Sequence, residues 1–153
     1  MTVQEIMSQP VHACTINTNL AAASDRMRAT GCGALVALWH GRLAGILTDR
    51  DLALAIGVMR DCEHAPVGEI MTRVVHTCRS SDDVRIALET MARFKVRRLP
   101  VLGVTGDVDG MISVDDIILW AIPEGAIDTS ALTDALRSLC AASTAYAPDT
   151  SEG

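Results

Sequence analysis

The sequence predicts an α+β fold made of two copies of one unit, each with the element order strand, helix, strand, strand, helix. Short motifs predict the duplication, since Glu5-Ile6-Met7 returns 64 residues later as Glu69-Ile70-Met71. Past one loop the offset becomes 65, where residues 45–51 align with residues 110–116. A register that changes once, inside a loop, is typical of a duplicated structural unit.

Hydrophobic periodicity places the elements of the first unit. Apolar residues recur at helical spacing from Leu20 onward, after N-cap candidates at residues 17–19, and Gly31 is expected to end this helix. Two apolar runs, residues 34–38 and 43–47, then flank a turn and predict a β-hairpin. The last helix of the unit is expected to begin directly after this hairpin, at the residue that follows its second strand.

The second unit repeats this pattern, and a different segment follows it. A helix is expected from Val84, a hairpin from residues 99–102 and 108–112, and the last helix from Val114. After Ile122 the repetition ends. Capping residues 128–130 predict one more helix, which packs on the body of the protein or on a second subunit.

These boundaries predict one cooperative module, because 153 residues are too few for two large independent cores. We expect the first repeat to span residues 1–60 and the second to span residues 61–122. Residues 123–153 are expected to form the C-terminal helix and a tail, of which residues 146–153 are small, polar and predicted to be disordered.

Composition and charge argue against two classes of partner. The net charge is −6, with 13 basic against 19 acidic residues and 3% aromatics, so neither a basic surface nor a stacking platform for nucleic acid is expected. The chain is 49% apolar, but it contains no continuous apolar run long enough to cross a membrane and no signal peptide at its start. We expect a soluble, cytoplasmic protein that binds neither nucleic acid nor membrane.

Five scattered cysteines without a CxxC spacing indicate buried thiols in a reducing compartment rather than a disulfide framework. One pattern among them is repeated, because His12-x-Cys14 recurs as His76-x-Cys78. Residues two apart on an extended segment share one face, so these four residues are candidates for a zinc site. Because no close ligand spacing supports that site, we expect no metal and keep a His/Cys metal-binding protein as a remote alternative.

The most distinctive local motif is Thr48-x-x-Asp51, with its copy Ser113-x-x-Asp116, each between an apolar strand and an apolar helix. A hydroxyl followed three residues later by an acid is a capping box, which stabilises the start of a helix. The same geometry presents free N–H groups to an anion, and the carboxylate can accept hydrogen bonds from the vicinal hydroxyls of a ribose. The two interpretations are compatible.

Tandem units with this motif, an early Ile-Met segment and a hairpin resemble a pair of CBS domains, named from cystathionine beta-synthase. The resemblance covers about residues 3–121. It implies a two-lobed module, often dimerised, that binds adenosine-containing ligands such as AMP, ADP, ATP or S-adenosylmethionine in clefts between its repeats. Many members of the family regulate an attached or associated enzyme or transporter.

The resemblance also assigns roles to residues of this chain. It implies that Asp51 and Asp116 are the acids that bind ribose, and that Thr48 and Ser113 are hydroxyls beside ribose or phosphate. It implies phosphate contacts at Arg97, Arg98 and Arg50, and a hydroxyl of the base pocket at Thr77. The alternative role of each arginine is an ordinary surface ion pair.

The two clefts are not expected to be equivalent. The first unit has Gly31, Gly33 and Ala34 where the second has Lys95, Arg97 and Arg98, and Asp115 replaces Arg50 in the second motif. One cleft is therefore a candidate for an empty site.

No group of residues indicates catalysis. The histidines lack a supporting nucleophile or carboxylate motif, and no glycine-rich phosphate-binding loop is present. We expect a non-enzymatic sensor, homodimeric, that needs no cofactor and signals in trans to an unknown effector protein. The alternative is a ligand-free structural or interaction dimer in which Thr48, Asp51, Ser113 and Asp116 serve only as helix caps.

Overall fold

The computed structural model describes residues 1–143, and the tail predicted to be disordered lies outside this range. The first unit has the predicted order of elements. They are β1 (Ala13–Thr15), α1 (Leu20–Thr30), β2 (Ala34–Trp39), β3 (Arg42–Thr48) and α2 (Asp49–Val58). Asn19 caps α1 by accepting a hydrogen bond from Ala22 N, and Gly31 ends the helix in the left-handed conformation.

The second unit repeats the order and differs in its last helix. Its elements are α3 (Val67–Ile70), β4 (Cys78–Arg79), α4 (Val84–Phe94), β5 (Arg98–Leu102), β6 (Val108–Ser113) and α5 (Val114–Asp116). The helix that starts at Val114 is α-helical for one turn and continues as a π-helix over Ile117–Ala121. The C-terminal helix, α6, spans Thr129–Ser143.

Each unit contains a three-stranded sheet with the same topology, which confirms the predicted α+β class. The sheet orders are β1-β2-β3 and β4-β5-β6, and in each the first pair is parallel and the second antiparallel. Both central strands carry a register shift, between Ala37 and Leu38 and between Val101 and Leu102. Because the irregularity recurs at the same place, the two sheets are duplicates in detail.

The units exchange their leading segments. Val3 and Ile6 are buried in the core of the second unit, whereas Val67 and Met71 are buried in the core of the first. Backbone hydrogen bonds also join each segment to the unit that receives it, because residue 8 pairs with residue 111 and residue 72 pairs with residue 46. By packing, residues 3–8 therefore belong with the second unit and residues 67–72 with the first, which makes the two cores depend on each other.

Helix α6 packs on α4 of the second unit. Leu132, Ala135 and Leu139 of α6 are buried in that unit's core, while Leu136 is half-buried against it. Ser138 Oγ donates a hydrogen bond of 3.1 Å to the carbonyl oxygen of residue 92, which fixes the helix along α4. Within residues 1–143, no helix has the length and apolar character needed to span a bilayer.

Candidate functional site

A cavity of about 700 Å³ lies where the two units meet. Its walls come from the end of β3 and the start of α2 in the first unit, from the exchanged segment after α3, and from the turn between α4 and β5. The lining residues include Gly33, Ile46, Thr48, Asp49, Arg50, Thr72, Val74, Val75, His76, Lys95, Val96, Arg97, Arg98 and Leu139. Both repeats and the C-terminal helix thus contribute to one cleft.

Four cations line this cavity: Arg50 from the first unit and Lys95, Arg97 and Arg98 from the second. Within the described residues, none of their side chains has an ion pair or hydrogen bond to the protein. Asp49 contributes the one carboxylate among the residues found to line the cavity. An excess of unpaired positive charge in a cleft attracts anions.

The turn between α4 and β5 carries the cations of the second unit into the cleft. Lys95 ends α4 in the left-handed conformation, with a φ of 57°, and its N–H donates to Met91 O. This conformation ends the helix, and residues 96 and 97 then line the cleft before β5 begins at Arg98. The basic run of the sequence therefore becomes one edge of the cavity.

Gly33 marks the place where this edge meets the first unit. A Cβ atom at this position would lie 3.7 Å from Arg98 Nη1 and 3.3 Å from Asp49 Oδ2. Asp49 N also donates a hydrogen bond of 3.2 Å to Gly33 O. The Arg98 guanidinium of the second unit thus lies near the backbone of the first, and a side chain at residue 33 would press most closely on the Asp49 carboxylate.

The start of α2 forms the predicted capping box. Asp51 Oδ2 accepts hydrogen bonds from Thr48 N at 2.8 Å and from Thr48 Oγ1 at 2.7 Å, and Thr48 Oγ1 accepts from Asp51 N at 3.2 Å. Thr48 lines the cavity, whereas Asp51 stands behind it and is not among the lining residues found. The cavity thus joins Thr48, Arg50, Arg97 and Arg98 of the predicted site residues, with Asp51 one hydrogen bond away.

The copy of the motif in the second unit has the same box and an additional contact. Asp116 Oδ2 accepts from Ser113 N at 2.7 Å and from Ser113 Oγ at 2.6 Å. Asp116 Oδ1 accepts a hydrogen bond of 3.2 Å from Ser8 Oγ, on the exchanged N-terminal segment. Neither Ser113 nor Asp116 is among the residues that line the 700 Å³ cavity.

The residue predicted for the base pocket is half-buried beside the cavity. Thr77 is not among the lining residues, but its neighbour His76 is, and the His76 ring stacks on Phe94 with a centroid separation of 3.6 Å. Sequence reasoning had not assigned His76, Lys95, Asp49 or Leu139 to the site. Asp49 lies between the assigned residues Thr48 and Arg50, and Lys95 is two residues before Arg97, so proximity to the motifs was a usable signal for both.

The repeated His-x-Cys pairs do not converge in the described part of the chain. Cys14 is buried in the core of the first unit and Cys78 in that of the second. Burial raises the pKa of the Cys14 thiol and raises that of Cys78 to about 12, which keeps both thiols protonated near neutral pH. Among residues 1–143, no group of three or more His, Cys, Asp or Glu residues is arranged to hold a metal ion.

Comparison with known sequences gives matches across both units. The model of the CBS domain family matches residues 3–58 and 67–122. CBS domain-containing protein YhcV of Bacillus subtilis is 28% identical over 115 residues, which cover 75% of this chain and 81% of YhcV. Hypoxic response protein 1 of Mycobacterium tuberculosis is 32% identical over 130 residues, which cover 82% of this chain and 88% of that protein.

Solved structures with the same fold include two with bound groups. The CBS domain pair of protein MJ0100, in complex with 5′-methylthioadenosine and S-adenosylmethionine, matches with a TM-score of 0.70 and 26% identity over 78% of this chain and 94% of that one. Hypoxic Response Protein I with two coordinated zinc ions matches with a TM-score of 0.68 and 29% identity over 78% of this chain and 98% of that one.

Proposed function

Because this chain belongs to the CBS-domain family, whose model matches both of its units, we propose that it is a regulatory sensor for an adenosine-containing ligand. The ligand binds in the 700 Å³ cleft between the repeats and alters contact with a partner protein in trans. The size of the response is limited by the difference in the ligand's affinity for the two arrangements of the module. The complex of the MJ0100 domain pair with two adenosine derivatives supports this class of ligand.

The observation that carries the proposal is the set of unpaired cations in the cleft. Arg50, Lys95, Arg97 and Arg98 face one cavity with a single carboxylate, Asp49, among the lining residues found. Phosphate groups form strong charge-assisted hydrogen bonds with such side chains. S-Adenosylmethionine carries a sulfonium and an ammonium group against one carboxylate, so the charge of the cleft favours AMP, ADP or ATP over it.

The structure suggests how a nucleotide is held. The phosphates contact the side chains of Arg50, Arg97 and Arg98. The N–H groups of residues 49–51, at the start of α2, add nothing to this contact, because each already donates a hydrogen bond within the protein. The ribose lies by Thr48 and Asp51, where a carboxylate is one hydrogen bond behind the cavity wall. We place the base toward Thr77. In the second unit, Ser113 and Asp116 are the corresponding residues, but they are not among the residues found to line the cavity, and Ser8 Oγ donates to one carboxylate oxygen of Asp116, so we assign the ribose to Thr48 and Asp51.

We also propose that the module is a homodimer. Apolar side chains remain exposed on the two pseudo-equivalent helical segments, with Ile56 of α2 73% exposed and Trp120 of the π-helix 58% exposed. A second copy of this chain is the occupant that fits, because related faces on the two units suit a twofold interface between identical chains. A dimer without ligand is the competing function, and it needs the same surface.

A thermal-shift series separates the two functions. AMP, ADP, ATP and S-adenosylmethionine are added separately to the protein, and the unfolding midpoint is measured. A ligand present at about 100 times its Kd adds roughly 2.7 kcal/mol to the free energy of unfolding. We expect stabilisation by the phosphorylated ligands. If no ligand in the series raises the midpoint, the sensor function is lost and the ligand-free dimer remains.

A further inference from the structure

The C-terminal helix α6 reaches the ligand cleft although it lies beyond the residues matched by the family model. The match ends at residue 122, and α6 spans Thr129–Ser143. Leu139 of this helix lines the 700 Å³ cavity and is also part of the core of the second unit, with only 5% of its surface exposed. One side chain therefore joins α6, the core and the cleft.

The way α6 is held places Leu139 beside the cationic edge. Ser138 Oγ, one residue earlier, donates a hydrogen bond of 3.1 Å to Ala92 O of α4. Three residues after Ala92, α4 ends at Lys95, the first of the cations of the second unit that line the cleft. The cationic turn and the end of α6 thus rest on the same short stretch of α4.

We infer that Leu139 is a ligand-contacting residue and that α6 is a wall of the binding site rather than an appendage to it. This inference rests on the proposed function. The cavity offers apolar surface from Val75, Val96 and Leu139 in addition to its cations. A ligand with an apolar, planar base and an anionic group uses both kinds of surface. A nucleoside phosphate is such a ligand, and Leu139 contributes to the contact with its base.

Contact between Leu139 and the ligand couples the ligand to the docking of α6. If docked α6 raises the affinity for the ligand, bound ligand must stabilise docked α6 by the same factor. The stability of docked α6 then depends on whether ligand occupies the cleft. Because α6 also has an exposed face, it is the element that signals ligand binding to a partner protein.

The test compares two leucines of the same helix. Leu132 and Leu139 are both buried in the same core, at 8% and 5% exposure, but Leu132 is not among the lining residues of the cleft. Leu132→Ala therefore controls for the general loss of core packing. ATP and S-adenosylmethionine are titrated separately by calorimetry against the full chain and each variant. We expect Leu139→Ala to lower the affinity for the ligand that binds by about 10-fold or more, and Leu132→Ala to leave it within about twofold of wild type.

Hydrogen exchange on the wild-type chain provides a measurement that does not depend on a variant's folding. With the ligand that binds, amide exchange across residues 129–143 should slow, while that of α1, which does not line the cleft, stays unchanged. The inference is overturned if Leu139→Ala binds the ligand with wild-type affinity, if both substitutions weaken binding equally, or if ligand leaves amide exchange in α6 unchanged. Each of these results leaves the sensor function standing. If neither compound binds the wild-type chain, and AMP and ADP do not bind it either, both the inference and the sensor function fail.

Discussion

Ser8 Oγ donates a hydrogen bond of 3.2 Å to Asp116 Oδ1, so the chain itself engages both carboxylate oxygens of Asp116. In the other unit, Asp51 Oδ2 accepts two hydrogen bonds from Thr48, and Oδ1 accepts none from the described residues. The two copies of the motif therefore differ in whether the protein donates a hydrogen bond to Oδ1 of the aspartate. The copy with the available oxygen is the one whose threonine lines the cavity.

This difference predicts that the two aspartates contribute unequally to binding. Asp51→Asn should weaken ATP binding by about 10- to 100-fold, because it removes an anionic acceptor for the ribose hydroxyls worth roughly 1.5–3 kcal/mol. Asp116→Asn should leave the affinity unchanged. The second substitution is a matched control, since both residues belong to the same kind of capping box and both changes disturb a helix start. Calorimetry measures affinity and stoichiometry, which we expect to be one ligand per chain; equal losses in both variants would contradict the assignment.

The cations of the cleft are expected to set both affinity and salt dependence. Arg97→Ala and Arg98→Ala should each weaken ATP binding about 10-fold or more and make it less sensitive to salt, because each removes a charge-assisted contact with phosphate. Arg28→Ala is the control, since Arg28 is exposed, pairs with Asp25 at 3.0 Å and is not among the lining residues. Titrations in low and high salt provide the comparison. Adenosine affinity should not change in any variant, and a loss there would contradict a phosphate role.

Substitution of Asp49 is expected to strengthen ATP binding, whereas substitution of the arginines weakens it. Its carboxylate faces the same cavity as the cations and opposes an anionic ligand. Asp49→Asn should therefore tighten ATP binding several-fold when measured without divalent cations. Asp25→Asn, an exposed change in α1 away from the cleft, controls for the general change in net charge. Weaker binding by Asp49→Asn would show that the carboxylate contacts the ligand favourably.

Two glycines are predicted to be essential where the exchanged segments cross the sheets. A Cβ atom at Gly45 would lie 2.6 Å from Met71 Sδ and 2.8 Å from a backbone oxygen, and one at Gly110 would lie 2.8 Å from Met7 Sδ and 2.9 Å from a backbone oxygen. Gly45→Ala and Gly110→Ala should each lower the free energy of unfolding by about 1–3 kcal/mol through overpacking.

Chemical denaturation measures these changes, and another glycine provides the control. A Cβ atom at Gly57, within α2, meets no other atom within 4 Å. Gly57→Ala should therefore stabilise the protein by up to about 1 kcal/mol, because alanine favours the helix. If the substitutions at residues 45 and 110 are as harmless as the one at residue 57, the two units do not hold each other through these segments.

Most of the fold was predictable from the sequence because its signals are local. The cap at Asn19, the stop at Gly31 and the capping boxes depend on neighbours within a few residues, and all are present in the structure. The change from α- to π-helix after Asp116 had no such signal. Periodicity shows that a segment is buried but does not show which core receives it, so the exchange of the leading segments was not predictable.

The lining of the candidate site was predictable to the extent that it is built from the motifs. Thr48 and Arg50 lie in one motif, and Arg97 and Arg98 lie in the basic run that the resemblance identified; all four meet in the cavity. Leu139 was not predictable, because its place in the cleft depends on the packing of α6 against α4, between segments far apart in the sequence.

Burial of Cys78 predicts how the free energy of unfolding depends on pH. Burial raises the pKa of Cys78 to about 12 in the folded chain from an ordinary value of 9.0. The unfolded chain thus loses this proton at lower pH than the folded chain does, so the stabilising contribution is complete below about pH 9 and is lost as pH rises toward 12. Denaturation at pH 8 and above pH 10 should show a steeper loss of stability in the wild-type chain than in Cys78→Ala.

At pH 8, iodoacetamide should modify exposed Cys140 well before Cys78, because the thiolate is the nucleophile. Rapid modification of Cys78 in the folded protein would contradict its burial.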